Sequence, residues 1–530
     1  MVKDSDNKFA LAIDLGSGGP KVGIVSTDGS LITTARRATE TLFLPAGGVE
    51  QDPEGWWQAI SDAAREVLSR RVVPVKEIVA VGCTSQWSVT TPVDRQGRPL
   101  MNAVHWMDAR GAPYTREITS GFPRVAGYGL LRLVRWLRLS GGAPTHTGAD
   151  VLAHILYIKR QRPDLYQRTY KLLEPADYVN LRLTGRFAAS YGTIFPYLLT
   201  DNRDNLRIDY SDSLIRLSGV DRDKLPDLVP VDAVLGPLLR QVADDWGLDP
   251  GVQVVAGSCD SQAAILGSGA VGDYQGHICV GTSSWLTCHV PFKRTDILRY
   301  VATMPAAVRG RNMVVAEQGA AGKCLEVFLR QWLFHDVQRG DSDGVFSRAL
   351  ELAAEAPAGS NGLLFLPWLN GAGPPGGEAY IRGGFLNQTL RTSRQEAIRA
   401  VLEGVSYNLR WLIGAVERLV GRRFEVLNHI GGGARSELWC QIHADVMNRP
   451  IRQVEQPTDA ILRGAGLLAL MTLKHIRLDD LAQRVPITRT FEPQPDLRAV
   501  YDKMFAAFVK SYKANQGLFK RLNRDVESPT

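Results

Sequence analysis

The sequence predicts an α/β protein made of two similar halves that face a shared cleft. Three observations point there. Apolar strand-like runs alternate with helical stretches along the chain, and 51 glycines in 530 residues gather in the turns after those runs. That length exceeds what one hydrophobic core serves, so at least two domains are expected. A strand, a glycine-hydroxyl turn and a second strand also occur twice, at Gly16-Ser17-Gly18 and at Gly281-Thr282-Ser283, one heading each half of the chain.

In chain order, Phe9 to Ile13 reads as a strand ending at Asp14, followed by the first glycine-rich turn and a second strand, Val22 to Val25, with Lys21 between them. Asp14 at the turn's entrance could hold Mg²⁺ through water, and the turn's N–H groups could face phosphates. A helix is expected over Glu54 to Arg71, and a strand from Ile78 to Cys83 that runs into Gln86-Trp87-Ser88. Beside Trp106, Asp108 and Arg110 bunch polar groups with aromatics, which suits a sugar, whose ring faces stack while its hydroxyls need donors and acceptors. The stretch LLRLVRWLRL, residues 130–139, reads as a short basic amphipathic helix packed on its own domain.

The stretch Val254 to Cys288 organises the chemistry. A strand turns through Gly257-Ser258-Cys259 and presents Asp260 at the head of a small-residue helix, after which the second glycine-hydroxyl turn follows. Alone, such an Asp reads as a helix cap and such a turn as ordinary. Together, and with the turn repeated, they place a general base beside a phosphate cradle, as phosphoryl transfer onto a hydroxyl requires. Two such turns in one cleft would grip ATP from both sides. Further on, a strand is expected at Gly362 to Pro367, a helix over Arg394 to Val420 and a strand over Val426 to Ile430. Gly431-Gly432-Gly433-Ala434 then opens a helix from Glu437 to Met447, and bare backbone there would let a flat adenine lie close. The turn lacks the G-x-G-x-x-G spacing of a dinucleotide site. A closing helix is expected over Leu497 to Lys513.

Composition narrows the class. A net charge of +7 over so many residues is no case for nucleic acid. Six scattered cysteines without a C-x-x-C pair argue against a zinc site or a disulfide framework. MVKDSDNKFA lacks the apolar core of a secretion signal, and no apolar run is long enough for membrane insertion. The expectation is a cytoplasmic enzyme.

Several stretches in the same order carry a resemblance: IDLGSGGPKV, VEQDPEGWWQA, GSCDSQAAILGSGAV, VGTSSW, LFLPWLNG, RGGFLNQTLRTSRQEAIRAVLEGVSY, IGGGARSELWCQIHADVMNRPI and GAGLLAL. From Phe9 to Tyr512 the chain resembles the FGGY carbohydrate kinases, and within them the xylulokinase-like branch. The resemblance implies two actin-like (ribonuclease-H-like) domains flanking a nucleotide and sugar cleft, divided here as 8–270 and 271–515, with 516–530 a disordered tail. It implies ATP- and Mg²⁺-dependent phosphorylation of a sugar or polyol. Asp260 would be the base, and Asp14 would belong to the phosphate and metal site. Gly16, Ser17, Gly18, Lys21, Gly281, Thr282 and Ser283 would meet phosphates, and Gly432, Gly433 and Ala434 the adenosine. Gln86, Trp87, Ser88, Asp108 and Arg110 would line the sugar pocket with Asp260. Assembly is left open between a single chain and a homodimer.

Departures from the branch gather on the sugar side. Gln-Met-His is here Gln86-Trp87-Ser88, and Trp-Asn-Asp-x-Arg is Trp106-Met107-Asp108-Ala109-Arg110. Glu-Arg-Thr-Pro is Ala372-Gly373-Pro374-Pro375, Ser-Asp-x-Ser is reduced to Ala189-Ser190-Tyr191-Gly192, and a lysine is His154. The arginine-rich stretch 124–148 looks like an insertion. The expectation is a kinase for which D-xylulose is a poor substrate. The alternative is a catalytically weak nucleotide-binding regulator on the same fold.

Overall fold

The structure is a computed structural model that describes residues 7–333 and 342–523. Its first sheet holds β1 (Phe9–Gly16), β2 (Gly19–Ser26), β3 (Leu31–Arg36), β4 (Ile78–Ser85), β5 (Val234–Pro237) and β6 (Gln253–Cys259) in the order β5-β6-β4-β1-β2-β3. The second holds β7 (Gly276–Val280), β8 (Ser284–Val290), β9 (Thr295–Asp296), β10 (Val301–Pro305), β11 (Asn312–Gln318), β12 (Leu427–Ile430), β13 (Ile451–Val454) and β14 (Ile487–Phe491), in the order β9-β10-β11-β8-β7-β12-β13-β14. The two share one plan. In each, an antiparallel meander of three strands leads to two parallel neighbours and an antiparallel edge strand. The duplication expected from the turns is therefore a duplication of topology, with β9 and β10 added to the second copy. The central strands are buried on both faces, which is why they read as near-continuous apolar runs.

Eight helices position the site: α1 (Pro53–Ser69), α2 (Leu130–Leu139), α3 (Pro175–Thr184), α4 (Asp260–Ser268), α5 (Arg394–Val420), α6 (Glu437–Met447), α7 (Ala460–Thr472) and α8 (Arg498–Leu522). Asp52 caps α1 by accepting from the Glu54 and Gly55 N–H groups, and Ser393 with Glu396 forms a reciprocal capping box on α5. α2 buries Trp136, whose Nε1 donates to the Leu198 carbonyl at 3.1 Å, while Leu131 and Val134 stay exposed.

The closest packing lies between α4 and α7. A Cβ on Gly267 would fall 1.6 Å from the Ala460 carbonyl oxygen, and one on Gly464 would fall 1.8 Å from that of Ala263. α7 belongs to the second half by sequence, yet it packs on β1, β2 and β4 of the first sheet as well as on α4. A Cβ on Gly82 of β4 would meet the Ala465 carbonyl oxygen at 2.3 Å. One apolar cluster accordingly draws Ala10, Val25 and Ala80 together with Cys279, Ile430 and Leu468.

The tail expectation needs correcting. α8 continues to Leu522, because Phe519 packs on the core and Asn523 Nδ2 donates to the Tyr380 carbonyl at 2.9 Å. Residues 516–522 are thus helical, and 524–530 lie outside the described residues. All six cysteines are buried and unpaired. No helix among the described residues is long and apolar enough to cross a membrane.

Gly267→Ala should force α4 and α7 apart. The expected loss is about 1–3 kcal/mol of unfolding free energy in urea titrations, the usual range for overpacking a tight contact. An unchanged midpoint would show that the crossing yields without strain.

Candidate active site

The glycine-hydroxyl turns are both hairpin tips. In the first, Gly16 pairs with Gly19, leaving Ser17 and Gly18 at the tip, and Asp14 stands opposite Lys21 in register. Gly19 has φ +120°, and a Cβ there would lie 2.1 Å from the Arg37 carbonyl oxygen, so a side chain would break the turn. In the second, Val280 pairs with Ser284 and Gly281-Thr282-Ser283 form the tip, with Thr282 exposed. The N–H groups of Ala321 and Gly322 hold that tip through the carbonyls of Thr282 (3.0 Å) and Gly281 (2.9 Å). Because β7 and β12 are parallel neighbours, the turn after β12 lies beside it. Gly433 and Ala434 are buried, a Cβ on Gly433 would meet Val280 Cβ at 2.8 Å, and Gly432 is exposed with open space before it.

Carboxylates gather near these tips. Asp260 starts α4 directly after β6, and its Oδ1 accepts the Ser261 N–H at 2.6 Å. Burial, reinforced by the negative charges of Asp14 and Glu317, pushes its pKa up to about 7. Asp14, buried at the end of β1, is raised by burial and by Asp459 against the lowering effect of Lys21 and Arg36. Lys21 Nζ stands 3.8 Å from Asp14 Oδ2 and 3.6 Å from Asp459 Oδ1, and donates to the Thr458 carbonyl at 2.7 Å. Arg36 Nη2 also meets Asp459. Lys21 therefore ties the first hairpin to the segment that opens α7. Glu317, at the end of β11, is also raised by burial, although a hydrogen bond from Ser283 opposes the shift. Its side chain is reached by solvent, yet protein surrounds it, as for a group on a cleft wall.

Glu317, Asp459 and Arg36 were not picked out from the sequence. The only signal for Glu317 was a lone acid closing an apolar strand, MVVAEQ. Asp459 stands at the start of α7 much as Asp260 stands at the start of α4, a correspondence visible only once the two sheets are superposed by topology.

The sugar-side residues divide. Gln86 is buried, its Nε2 donates to Gln51 Oε1 at 2.7 Å, and its Oε1 accepts from Ser17 Oγ at 2.7 Å with His105 Nε2 at 2.9 Å. Ser17 Oγ also accepts from Trp106 Nε1 at 3.0 Å, so this hydroxyl is tied to Gln86 and Trp106. Trp87 is half-buried, with its ring centre 5.8 Å from that of Phe195 and packed on Ile265, Met304 and Met313, and its indole N–H has no partner. Ser88 holds a left-handed φ of +60°.

Asp108 and Arg110 correct the expectation of direct sugar contact. Asp108 is fully enclosed, its Oδ2 accepting from the Val49 N–H at 2.8 Å and its Oδ1 from the Arg110 N–H at 2.9 Å. The Arg110 guanidinium is taken up by Asp108, by Glu50 at 2.7 Å and by Tyr157 OH at 2.8 Å. This ion network braces the wall. Behind it, His154 is buried, 3.1 Å from Thr90 Oγ1, and burial pushes its pKa down to about 4, so it is neutral where a lysine would be charged. At Gly373 a Cβ would meet the Glu317 carbonyl oxygen at 2.8 Å, which excludes a side chain as placed.

Among the described residues no three His, Cys, Asp or Glu side chains come together to hold a metal ion by themselves. Mg²⁺ would keep several waters and take one or two carboxylates plus phosphate oxygens. Asp14, buried and with Asp459 close by, offers one such carboxylate.

Residues 9–267 match the model of the FGGY family of carbohydrate kinases, N-terminal domain, and residues 276–473 match that of its C-terminal domain. The chain is 26% identical to the xylulose kinase of Bacillus subtilis over 96% of this chain and 98% of that one. It is 27% identical to the xylulose kinase of Escherichia coli over 95% and 98%. The crystal structure of a gluconate kinase from Lactobacillus acidophilus superposes with a TM-score of 0.84 at 20% identity, covering 97% of this chain and all of that one. The fold is thus the two-domain, actin-like one.

A raised carboxyl pKa has a sign in stability. The folded state holds the Asp260 proton more tightly than the unfolded chain, so this group's contribution is present below about pH 4 and is lost as pH rises towards about 7. Asp260→Asn lacks that loss. Urea titrations should therefore show the variant gaining on the wild type between pH 5 and pH 8. An equal difference at both pH values would contradict the raised pKa.

Proposed function

Because the chain belongs to the FGGY family of carbohydrate kinases and is a sugar kinase using ATP, we propose that Asp260 is the general base that accepts the proton of the sugar hydroxyl. One observation carries the reading: a carboxylate with a pKa of about 7 stands at the mouth of a strand-to-helix turn, near two glycine hairpin tips. A base is most useful when its pKa lies near the working pH, and burial beside Asp14 and Glu317 supports that here.

The residues divide the work. The backbone N–H groups of the first tip, Gly16 to Gly18, and of Thr282 and Ser283 in the second hold phosphate oxygens from opposite sides, and Thr282 adds a hydroxyl, while the Gly281 N–H is taken by the Ser283 carbonyl and the Ser283 hydroxyl by Glu317. Gly432, Gly433 and Ala434 give the adenosine a face without side chains. Lys21 keeps a cation beside Asp14 at the phosphate end. Asp14 would hold Mg²⁺ through water, and the ion would supply neutralisation of phosphate charge. Asp260 takes the proton as the sugar oxygen bonds to the terminal phosphorus, whose bond to the β,γ-bridging oxygen breaks, and ADP leaves. Positioning and charge stabilisation then account for most of the lowered barrier.

The sugar is a pentulose such as xylulose, or a related sugar or polyol. Trp87 and Ser88 shape the choice. Ser88 supplies a short hydroxyl where the branch has an imidazole, and Trp87 turns its ring onto Phe195 with its N–H unpaired. A sugar hydroxyl left unpaired in a dry site costs about 1–3 kcal/mol, enough to displace xylulose from first place.

Asp260→Asn should fold, bind ATP and lose at least about a hundredfold in kcat. In the wild type, kcat/KM should fall as pH drops below about 7, where Asp260 protonates. Near-normal turnover in the variant would remove Asp260 from the role. ADP release measured over ketoses, aldoses, polyols and sugar acids should rank D-xylulose below another substrate, and a first place for D-xylulose would overturn the reading of Trp87 and Ser88. Silence across the panel with ATP still bound would favour a regulator.

A further inference from the structure

Away from the cleft, an open cavity of about 460 Å³ lies between the C-terminal half of α5, the end of α6 and the face of α8. Arg410, Arg418, Arg423, Arg449 and Arg498 line it against one lining acid, Glu417. Asp502 of α8 adds a second carboxylate, meeting Arg410 and, at 2.6 Å, Arg498 Nε. Arg449 Nη1 bonds Glu417 and the Phe424 carbonyl, and Arg423 Nη2 the Asn448 carbonyl at 2.7 Å. Five guanidinium groups thus share two carboxylates.

Two of the five are incompletely matched. Arg418 is exposed and has no ion-pair or hydrogen-bond partner among the described residues. Arg410 lies 4.2 Å above the Phe505 ring, and its Nη1 is buried without a partner. Burial and the neighbouring Arg498 hold its guanidinium below the usual pKa. Trp411, Phe505 and Val509 supply an apolar wall. The volume suits a small ligand. Planar guanidinium forks suit phosphate oxygens.

We propose that this cavity binds a small organic phosphate, its phosphoryl group among Arg410, Arg418 and Arg498 and its carbon skeleton against Trp411 and Phe505. The site is separate from the cleft. Met447 and Asn448 line it at one end of α6, and the turn Gly432–Arg435 precedes the other end, roughly 16 Å away by the rise of an 11-residue helix.

The test is calorimetric titration of D-ribose 5-phosphate, and of inorganic phosphate alone, into the full chain with ADP saturating. Wild type should bind the sugar phosphate more tightly than inorganic phosphate. Arg418→Gln, which breaks no observed bond, and Arg410→Gln should each weaken that binding about tenfold with thermal unfolding checked in parallel. No heat in the wild type would overturn the proposal, as would heat unchanged in both variants, which would place the ligand in the cleft. Light scattering adds a further arm. Binding seen only when the protein is diluted out of a dimer would assign the cavity to an interface between copies and also overturn it.

Discussion

The crossing of α4 over α7 is the constraint on which the rest depends. Its glycines and alanines bring backbone against backbone, far closer than helices separated by larger side chains. The contact joins the ends of β6 and β13, one from each sheet. Asp260 heads one helix and Asp459 the other, so the same crossing sets both carboxylates relative to the hairpin tips. Without small residues there, the two sheets would stand apart and the cleft would lose its shape.

Around that crossing the charges are unevenly balanced. Lys21 and Arg36 serve Asp14 and Asp459, whereas Asp260 and Glu317 have no cation among their observed partners. Burial, and after it this imbalance, raises the proton affinity of Asp260, and the uncompensated carboxylates make the cleft receptive to positive charge. Beside these side-chain charges the tips of both hairpins present backbone N–H groups. The backbone supplies these donors without charge of its own.

Local features were legible in the sequence. Both hairpins and the helices over Arg394–Val420 and Glu437–Met447 followed from apolar runs, caps and glycines close together in the chain. Asp260 was legible because strand, turn and helix are contiguous. Glu317 and Asp459 were not, since their relation to Asp14 and Asp260 comes from strand order and helix crossing, which no local pattern encodes. Asp108 and Arg110 show a different limit. Their residue types suited a sugar, but type does not give direction, and Glu50 and Tyr157 take up the charge from inside the wall. The helix beyond Lys513 was missed because its anchors, Phe519 and Asn523, meet partners distant in sequence.

The buried cysteines make the molecule its own clock of opening. Burial pushes the thiols of Cys259 and Cys288 up to about 12, so thiolate is scarce at neutral pH and a labelling reagent must wait for the backbone to part. Cys83 and Cys259 sit in the first sheet, Cys279 and Cys288 in the second. The order in which they are modified therefore reads out which half of the protein loosens first, with no probe added to the chain.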